Sequence, residues 1–345
     1  MSKIIKVIAV LVLISAITTA FFYLYISSRL SDFDVKKDKL IITIPQGNSM
    51  SSCLDILNKE GVLQPSWLFD IYLRIYSTLD NRNIIAGTYK FTSQMDNNEI
   101  IQSILTGKNL YTVKVTYPEG ITLKNFAEIT WKKLGIPQDT FLEYVNSPEV
   151  LQKFKIQGKT AEGYLMPNTF TFFCDADVKT VVKRLLSEQE RLWERKFEPL
   201  MKHSKLSKHQ ILTLASIIEA ESPVAKERAR VSGVYHNRLE KKMLLQADPT
   251  IAYIVGGNKK IKYSDLKLRN PYNTYLFAGL PPGPINSPSE SSIEAALKPE
   301  QHNYLFFVAK GDGSMLHSFA TNFREHQRNI ASYRKNRKLN SSNSK

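Results

Sequence analysis

From Val7 to Ser28 the chain carries no charged residue, and most positions hold Val, Ile, Leu, Ala, Phe or Tyr. About twenty such residues, rising 1.5 Å each in a helix, match the ~30 Å hydrocarbon core of a bilayer. The run is longer than a signal-peptide core. Thr18-Thr19-Ala20 is a weak cleavage candidate, and no Cys stands just beyond the run to carry a lipid. The expectation is a retained signal anchor over residues 7–28, after a short cytoplasmic segment of residues 1–6, with a cleaved signal peptide as the alternative. Lys3 and Lys6 precede the helix, and Arg29, Lys36, Lys37 and Lys39 follow it. Positive charge alone therefore does not select a cytoplasmic N-terminus, although long downstream domains are translocated largely regardless of charge.

With 345 residues, 43% of them apolar, the chain has room for two or more domains with substantial cores. Its net charge of +15 favours an anionic partner, whether nucleic acid, a phospholipid surface or an acidic wall polymer. The bilayer anchor and the lack of a basic-aromatic module argue against nucleic acid. The one dense basic run, Tyr333 to Lys338, precedes a Ser/Asn end, and residues 333–345 are predicted to be a solvated, disordered tail. Cys53 and Cys174 form no CxxC pair and the six histidines show no ligand spacing, so no metal or cofactor is expected. The two cysteines read either as one disulfide or as two buried thiols. No GxSxG occurs, which disfavours a serine hydrolase.

Residues 29–39 read as a charged linker. Residues 40–110 then form a small α/β unit: strand Leu40–Ile44, a helix capped by Ser49, a helix over about 66–76, strand Gly87–Phe91 and a helix from Asn98 to Leu105. The corner Ile44-Pro45-Gln46-Gly47-Asn48-Ser49 returns 73 residues later as Tyr117-Pro118-Glu119-Gly120-Ile121-Thr122. Both copies predict a strand, a Pro-x-Gly turn, a Ser/Thr cap and an amphipathic helix. From residue 111 to 332 the pattern is that of a larger α+β domain. It has a helix from Val178 to Phe197, a helix started by Ser222-Pro223 and running to Lys242, a turn at Gly256-Gly257-Asn258, a Pro-rich loop Gly279–Pro284, a helix Ser291–Leu297 and a strand Tyr304–Val308.

The segment Ile211–Pro223 reads as a helix that is apolar almost all the way round, hence buried. Glu219 lies in its last turn, sharing a face with Leu212, Ala215 and Ser216, and Glu221 points roughly the opposite way. Burial and the negative end of the helix dipole both disfavour an anion at Glu219, which predicts a carboxyl held protonated and fit for general-acid work. The plain alternative is a solvent-facing Glu where the helix frays.

Several further segments carry a resemblance: Pro118-Glu119-Gly120, Glu162 to Phe170, Ala215 to Glu221, Asn237-Arg238-Leu239, Leu245-Gln246-Ala247-Asp248-Pro249-Thr250, Asn273-Thr274-Tyr275, Gly279 to Ile285, and His317-Ser318-Phe319 with Glu325-His326. Each is weak alone. In order and at these spacings, the chain resembles the MltG-type (YceG-like) endolytic murein transglycosylases. The resemblance implies an α+β fold with an N-terminal transmembrane helix, a small LysM-like subdomain and a larger catalytic domain. It implies an enzyme that cuts the MurNAc–GlcNAc bond of nascent peptidoglycan strands. The muramyl 6-hydroxyl attacks its own anomeric carbon and leaves a 1,6-anhydro end. Ordinary glycosidases need two carboxyls; here the substrate supplies the nucleophile, so one suffices, first as acid and then as base.

The resemblance puts the catalytic role on Glu219. Glu221, Gln246, Asp248, Asn273, Tyr275, Glu162 and His317 are the candidate substrate-binding residues, although the opposite helical face of Glu221 favours a structural or capping contact unless the helix breaks at Ala220. Asp248 before Pro249 reads equally as a turn residue or a groove acceptor, and His317 equally as a core histidine. The implied company is glycan strands, the membrane and peptidoglycan synthases (penicillin-binding proteins), with no nucleic acid. The catalytic domain is expected on the periplasmic or outer side of the cytoplasmic membrane. A non-catalytic, membrane-anchored wall-binding scaffold on the same fold is the alternative. One departure stands out: Ser287-Pro288-Ser289 occupies the place of the family's Asn-Pro-Gly.

Overall fold

The structure is a computed structural model that describes residues 2–35, 39–65, 67–80, 84–257 and 260–343. Lys36 and Lys37 of the linker, Ser66 at the head of the second helix, Asn258 of the glycine turn and the last two residues of the tail lie outside the described residues, as does the side chain of Ile75. The chain divides into two compact units, residues 1–113 with 171–175, and residues 114–170 with 176–345.

The first unit begins with helix α1 (Ser2–Leu30), which holds a stretch long and apolar enough to cross a membrane, none of it buried in the protein. Strand β1 (Leu40–Ile44), helices α2 (Met50–Lys59) and α3 (Trp67–Asp80), strand β2 (Gly87–Phe91) and helix α4 (Asn97–Thr106) follow. β1 and β2 are antiparallel, with Leu40 opposite Phe91 and Ile44 opposite Gly87. Their inward residues Ile42, Ile44, Tyr89 and Phe91 form one core with Leu57 of α2 and with Ile100 and Ile104 of α4. The end of the expected linker is tied into this core. Val35 is buried, the Asn97 amide donates to the Arg29 carbonyl and to Asp34, each at 2.9 Å, and Asp34 also accepts from the Gln64 N–H. Cys53 and Cys174 are both free thiols, and burial pushes Cys53 up to about 12.

Strand β3 (Thr112–Thr116) leads the chain into the second unit. Helices α5 (Leu123–Leu134), α6 (Gln138–Val145) and α7 (Pro148–Lys153), strand β4 (Thr169–Phe173) and helix α8 (Val178–Leu192) come next. Where β3 and β4 lie in this unit, the Thr116 and Thr169 hydroxyls pair at 2.9 Å. The repeated corner has the expected construction in both copies. Gly47 (φ +83) and Gly120 (φ +73) take the left-handed turn, and Ser49 and Thr122 then accept from the N–H three residues on. Beyond α8 a π-helical turn, Trp193–Phe197, leads into α9 (Glu198–Met201).

Helix α10 (Lys208–Glu221) opens with a full capping box between Ser207 and Gln210, and every residue from Ile211 to Ile218 is buried. The next helix starts later than its Ser-Pro signal predicts. Ser222 is extended (φ −117, ψ 99), as a residue before proline prefers, and its hydroxyl bonds the Val224 carbonyl instead of capping. A 3-10 turn, Ala225–Glu227, precedes α11 (Arg228–Glu240). Then come α12 (Asp248–Val255), α13 (Glu290–Leu297), strands β5 (Phe306–Ala309) and β6 (His317–Ala320), and α14 (Phe323–Asn343). β5 and β6 form an antiparallel hairpin. The basic run expected as a disordered tail is helical, part of α14. Asn329, Asn336 and Asn340 donate to the carbonyls of Phe319, Lys310 and Gly311, fastening the helix to the hairpin while its Arg and Lys side chains stay exposed.

Gly233, inside α11, shows how closely the segment after α13 approaches. A Cβ there would stand 2.4 Å from the Glu300 carbonyl and 2.6 Å from His302 Nε2. Helix propensity alone favours Gly233→Ala by about 1 kcal/mol, but the clash with fixed backbone outweighs it. We expect Gly233→Ala to destabilise by about 1–3 kcal/mol, read as a lower thermal midpoint by circular dichroism; an unchanged or raised midpoint would refute this packing account.

Candidate active site

The two carboxylates at the end of α10, about 200° apart around the helix, meet different surroundings. Glu219 is not solitary. Arg228 Nη2 donates to its Oε1 at 2.9 Å, and the Ser289 N–H donates to its Oε2 at 2.9 Å, joined by the Ser289 hydroxyl. Both side chains of the ion pair are 8% exposed. Arg228 is saturated further by the Ser222 carbonyl at 3.2 Å and by the hydroxyls of Ser289 and Ser291. Ser289 also caps α13, so the serine standing where the family has glycine is built into this pair. The apolar setting expected around Glu219 is therefore replaced by an arginine and a ring of donors.

Glu221 faces a cavity of about 430 Å³. Its one hydrogen bond among the described residues comes from the Tyr235 phenol, at 3.1 Å. Burial pushes its carboxyl up to about 7, the negative charge of Asp248 adds to the rise, and the Tyr235 bond and Arg238 oppose it. Asp248, at the first turn of α12, accepts from the Tyr275 phenol at 2.5 Å. Arg238 reaches the cavity from α11. Its Nε and Nη1 are spent on the carbonyls of Leu305, Leu244 and Leu245, and its guanidinium lies over the Phe306 ring. Gln246 lines the mouth with a left-handed backbone (φ +49), a costly conformation for a non-glycine residue. Phe306 and Phe307 of β5, His317 of β6, and Phe323, His326 and Ile330 of α14 complete the wall.

Five expected site residues thus come together: Glu221, Gln246, Asp248, Tyr275 and His317. His317 is held by Glu227, which accepts from its backbone N–H and lies 3.0 Å from its Nδ1. Asn273, expected as a sugar contact, is fully buried. Its amide donates to the Leu266 and Leu268 carbonyls and its oxygen accepts from the Tyr275 N–H, so it pins the loop that presents Tyr275. Glu162 lies elsewhere, 5% exposed and accepting from the Leu123 N–H at 2.8 Å; burial pushes it up to about 7. Tyr235, Arg238, Phe306, Phe307 and His326 were not among the expected site residues. Arg238 and His326 lie in segments that carry the resemblance, and the local signal for Phe306 and Phe307 is the run of apolar and aromatic side chains in Tyr304–Val308, which breaks the alternation of a one-sided strand and so demands cover on both faces.

The sequence profile of the YceG-like family matches residues 42–332. The endolytic murein transglycosylase of Bacillus subtilis (strain 168) is 33% identical over 308 residues, covering 85% of this chain and 84% of its own. That of Streptococcus pneumoniae serotype 2 (strain D39) is 26% identical over 352 residues, covering 93% of this chain and 63% of its own. A crystal structure of a yceG-like protein from Listeria monocytogenes superposes with a TM-score of 0.58 at 31% identity, covering 85% of this chain and 99% of that one.

Two acids raised by burial leave a stability signature. For a carboxyl raised from 4.5 to about 7, the folded chain holds a proton that the unfolded chain has lost. Its contribution is complete below pH about 4.5 and disappears as pH rises through about 7. Glu162 and Glu221 should each cost on the order of 3 kcal/mol across that window. The thermal midpoint should fall more steeply from pH 5 to pH 8 in wild type than in Glu162→Gln; parallel curves would mean that Glu162 is not raised.

Proposed function

The chain belongs to the YceG-like family, and on that premise we propose that it is an endolytic murein transglycosylase, a lyase that cuts peptidoglycan strands, with Glu221 as its acid and base. The observation that carries the assignment is the pairing of environments on α10. Glu219 is consumed by an ion pair, whereas Glu221 faces a cavity with a proton to give near neutral pH. In this reading the MurNAc–GlcNAc linkage lies beside Glu221. The carboxyl protonates the leaving oxygen, and Tyr235 holds its other state. The Asp248 carboxylate, steadied by Tyr275, faces the positive charge that develops at the anomeric carbon. The resulting Glu221 carboxylate then takes the proton of the muramyl 6-hydroxyl as the sugar closes on itself. Gln246 and Arg238 are the polar contacts for the sugar substituents, and Phe306 and Phe307 wall the cavity.

The rest of the reading follows from the substrate. Residues 7–28 anchor the chain in the cytoplasmic membrane with the catalytic domain, residues 111–332, on the periplasmic or outer side. Residues 40–110 are a LysM-like subdomain, and peptidoglycan synthases are the working partners. The anchor, the small unit and the excess of basic residues support this arrangement.

The test is digestion of purified peptidoglycan by the full-length chain in detergent micelles, with products weighed by mass spectrometry. Wild type should yield anhydro ends, lighter by one water than hydrolysed ends. Glu221→Gln should lower the rate by about 10²–10⁴. The wild-type kcat/KM should fall above pH about 7, where the acid is lost. Glu219→Gln should instead act on stability, since it strands the buried Arg228 at a cost of about 3–5 kcal/mol. A fully active Glu221→Gln, or reducing ends from wild type, would defeat the proposal.

A further inference from the structure

Glu162 and the Pro-rich loop have no part in that reaction, yet they meet in a second cavity of about 550 Å³. Its wall is formed by Glu162, His209, Tyr253, Asn270, Tyr272 and the loop Pro282–Pro284. The Tyr253 and Tyr272 rings stand 5.0 Å apart at 43°. His209 bridges the Tyr164 phenol and the Pro282 carbonyl, each at 2.7 Å, and so fastens the loop to the first turn of α10. Among the described lining residues the one Lys or Arg is Lys159, exposed at the rim.

The two cavities share their framework. α10 carries His209 at one end and Glu221 at the other, twelve residues or about 18 Å along the axis. α12 carries Asp248 and Tyr253. The loop pinned by Asn273 carries Tyr272 to one cavity and Tyr275 to the other. Any ligand long enough to occupy both would be held at a fixed register on rigid elements.

We propose that this second cavity is a distal subsite for the glycan strand, gripping sugar residues remote from the bond that is cut. Ring faces, an amide, a buried carboxyl and bare backbone suit a neutral, hydroxyl-rich polymer, and among the described residues no buried lysine or arginine lines the cavity to select an anion. Binding at a distance from the reacting atoms is a source of energy for orienting a polymer at the cleaved bond. It also favours internal sites over strand ends too short to reach both cavities. The proposal rests on the reading that the chain acts on peptidoglycan.

The experiment uses the full-length Glu221→Gln chain in detergent micelles and two probes, long uncross-linked glycan strands and a tetrasaccharide of the same repeat. Adding Tyr272→Ala should weaken strand binding by about tenfold or more, with the tetrasaccharide unaffected. Gly283→Val should do the same by filling the cavity, because a Cβ at Gly283 already stands 3.2 Å from the Tyr272 hydroxyl and 3.4 Å from His209. In the active chain, Tyr272→Ala should raise KM for long strands and leave kcat on the tetrasaccharide unchanged. If Tyr272→Ala lowers the thermal midpoint, Gly283→Val decides. Unchanged strand affinity, or an equal loss for both probes, overturns the subsite. Failure of the Glu221→Gln chain to bind strands at all, or its continued cutting of them, overturns the functional reading instead.

Discussion

Helix α10 is covered on every side from Ile211 to Ile218, and that burial dictates what happens at its C-terminal end. Ile211, Leu212, Leu214, Ile217 and Ile218 contribute about 1.5–3 kcal/mol each when removed from water, enough to fix the helix axis and rotation. Glu219 and Glu221 therefore cannot swing to solvent together. Each must be satisfied where the rotation leaves it. One side meets Arg228 and Ser289; the other meets a cavity and a phenol. A rigid apolar rod thereby positions the carboxyl that faces the cavity, and its stability is the source of that precision.

The chain around α10 is organised to keep this arrangement from relaxing. The Ser216 hydroxyl accepts from the Ile285 N–H at 3.0 Å and its carbonyl accepts from Asn286 at 2.9 Å, which ties the Pro-rich loop to the middle of the helix. Thr250 and Thr274 pair at 3.0 Å and hold the start of α12 against the Tyr275 loop. Arg238 closes three carbonyls that neither helix nor strand satisfies. Asn237 and Asn273 are thus scaffold for the site, holding backbone so that neighbours can present chemistry, while Arg238 both holds backbone and reaches the cavity.

Much of the architecture was legible in the sequence because the signals are local. A long uncharged apolar run predicts a long apolar helix, a Pro-x-Gly corner with a Ser/Thr behind it has one geometry, and a helix without a polar face must be buried. The different surroundings of Glu219 and Glu221 were not legible. Periodicity states that they diverge, but the partner that consumes Glu219 begins the next helix and its other donor is 70 residues away. The fate of the C-terminal basic run was hidden for a related reason. α14 is held by Asn329, Asn336 and Asn340 reaching backbone carbonyls and by Tyr333 lying over Gly311, a stripe spaced four, three and four residues apart that is mostly polar. A reading that counts apolar residues and charge sees the exposed lysines and arginines and misses the docking face.

The cavity bears on the choice between lysis and hydrolysis as well. A hydrolase that inverts needs a second carboxylate free to activate water, and one that retains needs it free to attack the sugar. Asp248 already accepts from Tyr275, whose phenol burial and Asp248 both keep protonated. In the proposed reaction its anion is thus arranged to stabilise charge. In the same proposed reaction, once the leaving group has taken the proton from Glu221, the new Glu221 carboxylate is a base already in place on a wall that Phe306 and Phe307 also line. A hydroxyl tethered to the substrate itself reaches that base at a high effective concentration, an advantage that a water from solution lacks.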